Sequence, residues 1–299
     1  MTIFANGNPS MTDIQSAQNA ERNLRRQMAK NYWYTAAKRW NLAGAALAIA
    51  LALASPLVLL YWPSWGSTLG AVAGAWIFAS RLILEPWKLK LQAKGAAAQE
   101  SFDCDVLGLT WNPALASEPS PEEIRKASKT VADSTKVDKH RNWYPSGVTM
   151  TWPESVITCQ RSNAVWARMQ HYSYGLFLIF AACLWAIIGI GVAVVHGASL
   201  AEYLTTIALP SLPAMLDATE LSRKHFAASD KRKKLEDECN RLVNEPTKVT
   251  HMHLREVQDE LFLLRRDAPL VAGWFYRTVK KSYEENMKFA AEEQAKRSS

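Results

Sequence analysis

Residues 175–195 form a strongly apolar stretch that contains no charged residue and no proline. Their sequence is GLFLIFAACLWAIIGIGVAVV. A helix of roughly 20 residues rises about 30 Å, which matches the hydrocarbon thickness of a bilayer. A core helix of a soluble protein usually keeps a polar face, and this stretch has none. The sequence therefore predicts a transmembrane helix here, and weaker apolar stretches are interpreted in that light.

Two further apolar runs lie earlier in the chain, at residues 42–62 and 66–84. The first is uncharged, and the second is apolar except for Arg81. Trp40 and Trp62 stand at the ends of the first run, where tryptophan is typical of a membrane interface. Because the link between the runs is very short, we expect an antiparallel pair of spans.

A fourth apolar run, at residues 200–216, is short and contains Glu202, Pro210 and Pro213. Lysine and arginine flank the paired runs on one side only, and the short links between paired runs contain neither. The positive-inside rule then gives four spans with both termini and the middle segment in the cytosol. If the fourth run did not cross, the basic C-terminal third would lie outside, against the rule.

The sequence thus predicts a mainly α integral membrane protein of the bacterial inner membrane, with four transmembrane helices arranged as two hairpins. The expected parts are an amphipathic cytosolic helix within residues 1–41, a hairpin at 42–87, a small cytosolic domain at 88–172, a hairpin at 173–217 and a C-terminal cytosolic helical bundle at 218–299. Within them, helices are predicted over 12–41, 122–131, 219–244, 251–266 and 274–296.

Several residues in the predicted spans suggest packing or a pathway for ions. Small residues at intervals of four let helices approach closely, and the second span has Gly66, Gly70 and Gly74. Arg81 either snorkels to the interface or faces a pore. A proline-broken fourth helix is either a simple kink or a pore lining. The pore or gate candidates are Arg81, Glu202, Thr205, Thr206, Pro210, Pro213 and Asp217.

The chain has a formal net charge of +7, which near membrane spans first serves topology and attraction to anionic lipid. We therefore predict no binding to a nucleic-acid polymer. The four cysteines have no CxxC spacing, so reduced thiols are expected. The first 40 residues lack the layout of a signal peptide, so we expect the N-terminus to be retained.

No sequence motif for catalysis or metal binding is present: there is no HExxH, no phosphate-binding GxxxxGK[ST] loop and no GxSxG elbow. Asp103 and Asp105 flank Cys104, and we interpret this pair as a solvated turn. The prediction is a non-enzyme with no cofactor and no metal. An enzyme that uses Cys104 or Cys159 remains a further alternative.

Aromatic and polar residues of the middle segment form a candidate ligand site, because aromatic rings stack on nucleobases and arginines bind phosphates. The alternative is that the aromatic residues form a small core and the basic residues serve topology. The candidate ligand-binding residues are Trp111, Trp143, Tyr144, Arg141, Arg161, Asn163 and Trp166.

The chain also resembles a known family through an ordered set of short motifs. These are Phe102-Asp103, Leu109-Thr110-Trp111-Asn112, Trp143-Tyr144-Pro145, Cys159-Gln160-Arg161-Ser162-Asn163 with Trp166, Arg168 and Tyr172, Leu209-Pro210, Gln258-Asp259, Arg265, Pro269 and Trp274-Phe275-Tyr276. Their order along four spans resembles the four-transmembrane effectors associated with SMODS nucleotide cyclases in bacterial antiphage CBASS systems.

This resemblance implies a pore-forming effector that binds a cyclic oligonucleotide made by a partner cyclase and then breaches the inner membrane, with a homo-oligomer expected. The alternative is a non-conducting membrane scaffold that recruits a partner through its cytosolic helices. Leu221, Ala228, Leu235 and Leu242 recur every seven residues, which predicts either a helical bundle or a coiled-coil contact between subunits.

Overall fold

The structure is a computed structural model and describes residues 7–61, 65–129, 137–145, 149–195, 197, 199–204, 208–278, 285 and 289. Its regular structure within these residues is helical, with no β-strand, so the predicted mainly α fold is confirmed for this part of the chain. The helices are α1 (Met11–Gln18), α2 (Glu21–Tyr61), α3 (Gly66–Ala79), α4 (Glu85–Leu107), α5 (Pro121–Lys129), α6 (Glu154–Val195), α7 (Leu200–Tyr203), α8 (Leu209–Asn244), α9 (His251–Asp267) and α10 (residues 273–278).

The helix predicted over residues 12–41 is in fact two helices. The first, α1, begins with a capping box in which the Ser10 hydroxyl accepts from the Asp13 backbone and the Asp13 side chain accepts from the Ser10 backbone. The chain turns at Asn19, whose backbone N–H donates to Ala17 and Ser16, and α2 begins at Glu21. The amphipathic face is real, because Ile14, Leu24 and Met28 are buried.

The long helices form two antiparallel pairs. In the first pair, α2 runs beside α4 and α3. Arg22 at the start of α2 lies 2.6 Å from Asp105 at the end of α4, and the Trp76 indole of α3 donates to the Gly44 carbonyl of α2 at 3.4 Å. The second pair consists of α6 and α8, in which the Arg161 guanidinium of α6 donates to Asn240 of α8 at 2.7 Å. A π-helical segment, Ser80–Leu84, joins α3 to α4.

Polar side chains join α6 to α8 near residues 168–175 and 222–229, next to the predicted third and fourth spans. The Ser222 hydroxyl donates to the Gly175 carbonyl at 2.8 Å, and Ser229 donates to the Arg168 carbonyl at 3.2 Å. Between them, the Nδ1 atoms of His171 and His225 lie 2.8 Å apart in a buried hydrogen bond. Burial lowers the pKa of His225 to about 4, so both rings are neutral at physiological pH and one donates to the other.

The exposed apolar side chains lie mainly in the four segments predicted to span the membrane. Examples are Leu42, Ile49, Phe78, Phe180 and Val194, whose exposed fractions lie between 53% and 74%. Among the described residues, α6 is the one helix that is long and apolar enough to cross a bilayer, judged by length and composition, and its most apolar window is 11% buried. Exposure of this extent marks a surface that contacts lipid or protein.

A hydrophobic core lies at the opposite ends of the same helices. It joins α1, the ends of α4 and α8, the start of α6, and α9; its members include Met11, Ile14, Phe102, Leu107, Tyr144, Ile157, Leu235, Leu242, Leu254 and Leu261. Ala228, Leu235 and Leu242 of the seven-residue repeat are buried within the chain. Of the two interpretations of that repeat, the structure shows the helical bundle.

We expect Gly108→Ala to lower the free energy of unfolding by about 1–3 kcal/mol, because only glycine adopts this backbone freely. Gly108 caps α4 with φ of +66°, and a Cβ there would lie 2.9 Å from the Gly7 carbonyl oxygen. Thermal unfolding in detergent measures the effect. The control is Gly191→Ala, where a Cβ meets nothing within 4 Å. Equal melting temperatures for Gly108→Ala and Gly191→Ala would contradict the prediction.

Candidate functional site

A cleft with six basic side chains in its lining lies between the first part of α2 and α5. It consists of two adjoining hollows of about 800 and 450 Å³ that share Arg25 and Arg125. We call this the arginine cleft, and its basic residues are Arg22, Arg25, Arg26, Arg125, Lys129 and Arg141. The lining includes two carboxylates, from Glu21 and Glu118. Its charge and size suit a polyanionic ligand.

Local helix chemistry places the basic residues of α5 in the cleft. The helix begins after Ser120, whose hydroxyl accepts from the Glu123 backbone, and Pro121 occupies its first position. Lys94 of α4 pairs with Glu123 at 2.6 Å and fixes this end. Ala127 is buried beside Ala29 and Trp33 of α2. Arg125 and Lys129 are four residues apart, so they share one side of the helix.

Acidic groups already hold three of the arginines on α2. Asp105, which is 7% exposed, lies 2.6 Å from Arg22 and 2.9 Å from Arg26. Arg25 pairs with Glu21 one turn earlier. One buried carboxylate therefore serves two guanidinium groups, and an incoming anion competes with carboxylates that are already in place.

A short irregular segment, residues 141–145, contains both Arg141 and Trp143. It is fastened to the α1–α2 turn by Asn142, which adopts φ of 52° and exchanges hydrogen bonds with Asn19 at 2.9 and 3.1 Å. The Tyr144 backbone donates to Gln18 at 2.7 Å. Arg141 lines the cleft, and Trp143 lies beside α2 with 38% of its surface exposed.

Lys30 of α2 is buried, and its ammonium lies 3.5 Å from the centre of the Trp143 ring. Burial lowers the pKa of this amine to about 7, although the Asp103 carboxylate acts in the opposite direction. The same amine in the unfolded chain has a pKa near 10.5. The folded protein therefore releases this proton at a lower pH than the unfolded protein does.

We predict that the folded state gains stability from Lys30 as pH rises from about 7 towards 10.5, because the unfolded chain binds more protons in that window. Lys30→Met removes this titration, so its stability relative to the native chain is highest below pH 7 and declines as pH rises. Melting temperature measured across this range tests it. Parallel pH profiles for the two proteins would contradict it.

The predicted ligand residues do not form one site. Arg141 lines the arginine cleft and Trp143 is two residues further along the chain, whereas Tyr144 is 1% exposed, so its ring cannot stack on a ligand in this conformation. Its hydroxyl donates to Asp103 at 2.7 Å and accepts from Asn163 at 3.0 Å. The remaining three are apart: Trp111 donates to the Ala116 carbonyl, Arg161 pairs with Asn240, and Trp166 packs near Tyr276.

The pore candidates fall largely outside the described part of the chain. This applies to Thr205 and Thr206 entirely and to the side chains of Arg81, Glu202, Pro210 and Pro213. The backbone of Arg81 lies in the π-helical segment. Asp217 is exposed on α8. Gly66, Gly70 and Gly74 lie in α3, and what packs against them is likewise outside the described side chains.

The interpretation of Asp103 and Asp105 as a solvated turn was wrong, because both lie on α4 and are buried. Asp103 lies 2.6 Å from Arg265, and Gln258 donates to both Asp103 and Glu100. This network fastens α4 to α9. The sequence did carry a signal for this helix: Glu100 and Asp103 are three residues apart in an alanine-rich segment, a spacing that puts both carboxylates on one side of a helix.

Two observations bear on catalysis in the described residues. Burial raises the pKa of the Cys104 and Cys159 thiols, which disfavours the reactive thiolate. No group of three or more His, Cys, Asp or Glu side chains there is arranged to hold a metal ion.

The comparisons with known proteins agree on one family. Residues 12–294 match the family described as SMODS-associating 4TM effector domain. A probable CBASS effector molecule of Bacillus cereus strain VD146 is 27% identical over 289 residues, which covers 90% of this chain and 94% of the relative. No solved structure matches the chain.

Proposed function

Because the chain belongs to the SMODS-associating 4TM effector family and is therefore an effector of bacterial antiphage defence, we propose that it is a ligand-gated pore. The ligand is a cyclic oligonucleotide made by a paired nucleotide cyclase, and it binds the arginine cleft. Binding opens a homo-oligomeric pore in the inner membrane, with both termini cytosolic. The protein catalyses no reaction in this proposal.

The observation that carries the proposal is the position of the cleft on α2. Arg22, Arg25 and Arg26 lie in its first two turns, and the same helix continues without a break to Tyr61. A helix of 41 residues is about 60 Å long, so it extends from the cleft through the first predicted span. Any tilt or shift of its cytosolic end therefore reaches the membrane directly.

The chemistry of the cleft suits the phosphates of such a ligand. Guanidinium groups bind phosphate oxygens with paired hydrogen bonds, and Arg125 and Lys129 of α5 line the cleft together with Arg141. Trp143, two residues after Arg141, is 38% exposed; the Lys30 ammonium lies over one face of its ring, and a base stacks on the other face. A charge pattern of this kind also attracts the ligand from solution.

Gating requires that the ligand bind the open state more tightly than the closed state. In the closed arrangement, Asp105 holds Arg22 and Arg26 towards α4, and Glu21 holds Arg25. Ligand phosphates replace these carboxylates and draw α2 towards α5 instead. The free energy of those new contacts is what shifts the equilibrium towards the open pore.

The membrane part of the proposal draws on the exposed apolar surface. Among the described side chains, large exposed ones lie on the C-terminal halves of α2 and α6 and on α3, and the main core draws on none of the predicted spans. Lipid or neighbouring subunits must cover such a surface. Since the seven-residue repeat on α8 is buried internally, subunit contacts come from these distal halves.

Expression in bacteria together with the cyclase of its own system tests the function. We expect loss of membrane potential after phage infection, and none when the cyclase is inactive. The alternative, a scaffold that conducts nothing, predicts that leucine at Thr205, Thr206, Pro210 and Pro213 leaves defence intact. A pore predicts that this variant loses defence. A defence response that leaves membrane potential unchanged contradicts the pore.

A further inference from the structure

Exposed aromatic side chains mark the cytosolic ends of the predicted spans. Trp40 precedes the first span and is 44% exposed, Trp87 follows the second and is 55% exposed, and Tyr172 precedes the third and is 52% exposed. Aromatic residues with one apolar and one polar end favour the headgroup layer of a bilayer. These positions therefore define the level of the cytosolic membrane surface.

A further exposed aromatic residue at this level comes from α10, far away in the sequence. Trp274 is 45% exposed, and its ring packs edge to face on Phe177 with centroids 5.2 Å apart. Phe177 lies two residues inside the predicted third span. The neighbouring Phe275 is buried against Tyr174, with ring centroids 5.0 Å apart, and Val271 belongs to the same hydrophobic cluster. The segment before and within α10 is thus fixed to the cytosolic end of that span.

Exposed cations accompany these aromatic residues. Arg39 precedes Trp40 on α2, Lys90 lies one turn beyond Trp87 with its ammonium 5.7 Å from that ring, and Arg277 follows Trp274 by three residues. Arg223 of α8 is exposed two residues before the buried His225. Basic side chains at a membrane surface are attracted to anionic phospholipid, each with a free energy of about 1 kcal/mol.

We propose that residues 269–278 form a membrane-surface anchor, in which Trp274 enters the headgroup layer and Arg277 contacts acidic phospholipid. The anchor replaces the simple cytosolic helix expected there from the sequence. It holds the cytosolic end of α6 at the bilayer surface through the contact between Trp274 and Phe177. This inference rests on the membrane insertion proposed above, but it needs neither the nucleotide nor an open pore.

Fluorescent probes attached to cysteine test this placement in the full chain, reconstituted in vesicles of phosphatidylglycerol and phosphatidylcholine. Cys183 is the exposed native cysteine, and it lies within the predicted third span, whereas the other three are buried. A probe on native Cys183 therefore reports membrane insertion itself. In a Cys183→Ala background, Trp274→Cys places the probe in the anchor. Met252→Cys places it in the first turn of α9, where the native side chain is 70% exposed.

The expected results differ for the three probes. The probe at 183 is quenched most by lipid that is spin-labelled near the bilayer centre. The probe at 274 is quenched most by lipid spin-labelled near the headgroup, and acrylamide in the water quenches it at least about threefold less than the probe at 252. Arg277→Cys provides a second position should Trp274→Cys not fold, with the same expectation of headgroup-level quenching.

Each outcome decides a separate question. Lipid quenching at 183 together with full acrylamide quenching at both 274 and 277 overturns the anchor and leaves the membrane proposal standing. No lipid quenching at 183 overturns membrane insertion, and the anchor with it. Finally, replacing phosphatidylglycerol with phosphatidylcholine should increase acrylamide quenching at 274 at least about twofold. Unchanged quenching would overturn the role of acidic lipid.

Discussion

Replacing both Arg25 and Arg125 with glutamate abolishes nucleotide-triggered release of dye from vesicles that contain the protein. These two residues lie where the two hollows of the arginine cleft meet, so each faces both halves of a bound ligand. A charged hydrogen bond to phosphate contributes about 1.5–3 kcal/mol, so losing two weakens binding about a hundredfold or more. The reversed charges then repel the ligand in addition.

The matched control is Arg241→Glu, which changes an exposed arginine near the end of α8 that pairs with Glu238. This variant reverses one charge where the double variant reverses two, and it keeps normal release, because Arg241 lies outside the cleft. Isothermal titration with the active nucleotide measures the two effects directly. Unaltered affinity in the Arg25 and Arg125 double variant would show that the ligand binds elsewhere.

Asp103→Ala lowers the free energy of unfolding by about 3–5 kcal/mol, a large effect for one residue, because it leaves Arg265 buried without its closest carboxylate. Asp103 is fully buried and lies 2.6 Å from Arg265. It also accepts from the Tyr144 hydroxyl and from Gln258. Glu100 is 3.8 Å from Arg265 and is already engaged by Arg255, so it compensates only in part.

Asp237→Asn is the comparison for Asp103→Ala, since it breaks an exposed ion pair with Lys233 on α8. Exposed pairs contribute between about 0 and 1 kcal/mol, so this variant unfolds within a few degrees of the native chain. Thermal unfolding in the same detergent measures both proteins. A change for Asp103→Ala no greater than that for Asp237→Asn would mean that the buried network does not hold α4 to α9.

Much of the helical architecture follows from sequence periodicity and breakers. The helix predicted over 251–266 is α9 with one added residue, and the proline after Glu245 ends α8 as expected. The helix predicted from residue 122 begins at Pro121. Long helices with clear stops depend on local signals, which a single sequence carries. The break at Asn19 was missed because Asn19 exchanges hydrogen bonds at this turn with Asn142, which is distant in the sequence.

Pairing between distant segments could not be predicted in this way. Arg22 and Asp105 meet across more than 80 residues of sequence, and α5 joins α2 over a similar separation. The arginines of α2 looked like topology signals because they precede an apolar run, and only packing against α5 places them in a cleft. Tyr144 shows the converse: an aromatic residue next to basic residues suggested a ligand, but its hydroxyl satisfies buried Asp103.

Dye release from liposomes that contain the purified, correctly oriented protein, titrated with a panel of cyclic di- and trinucleotides, tests the ligand-gated pore most directly. We expect that one nucleotide triggers release at concentrations that match its binding to the arginine cleft, and that the others do not. Binding of a nucleotide without any release, by folded and oriented protein, would contradict the pore and favour the scaffold.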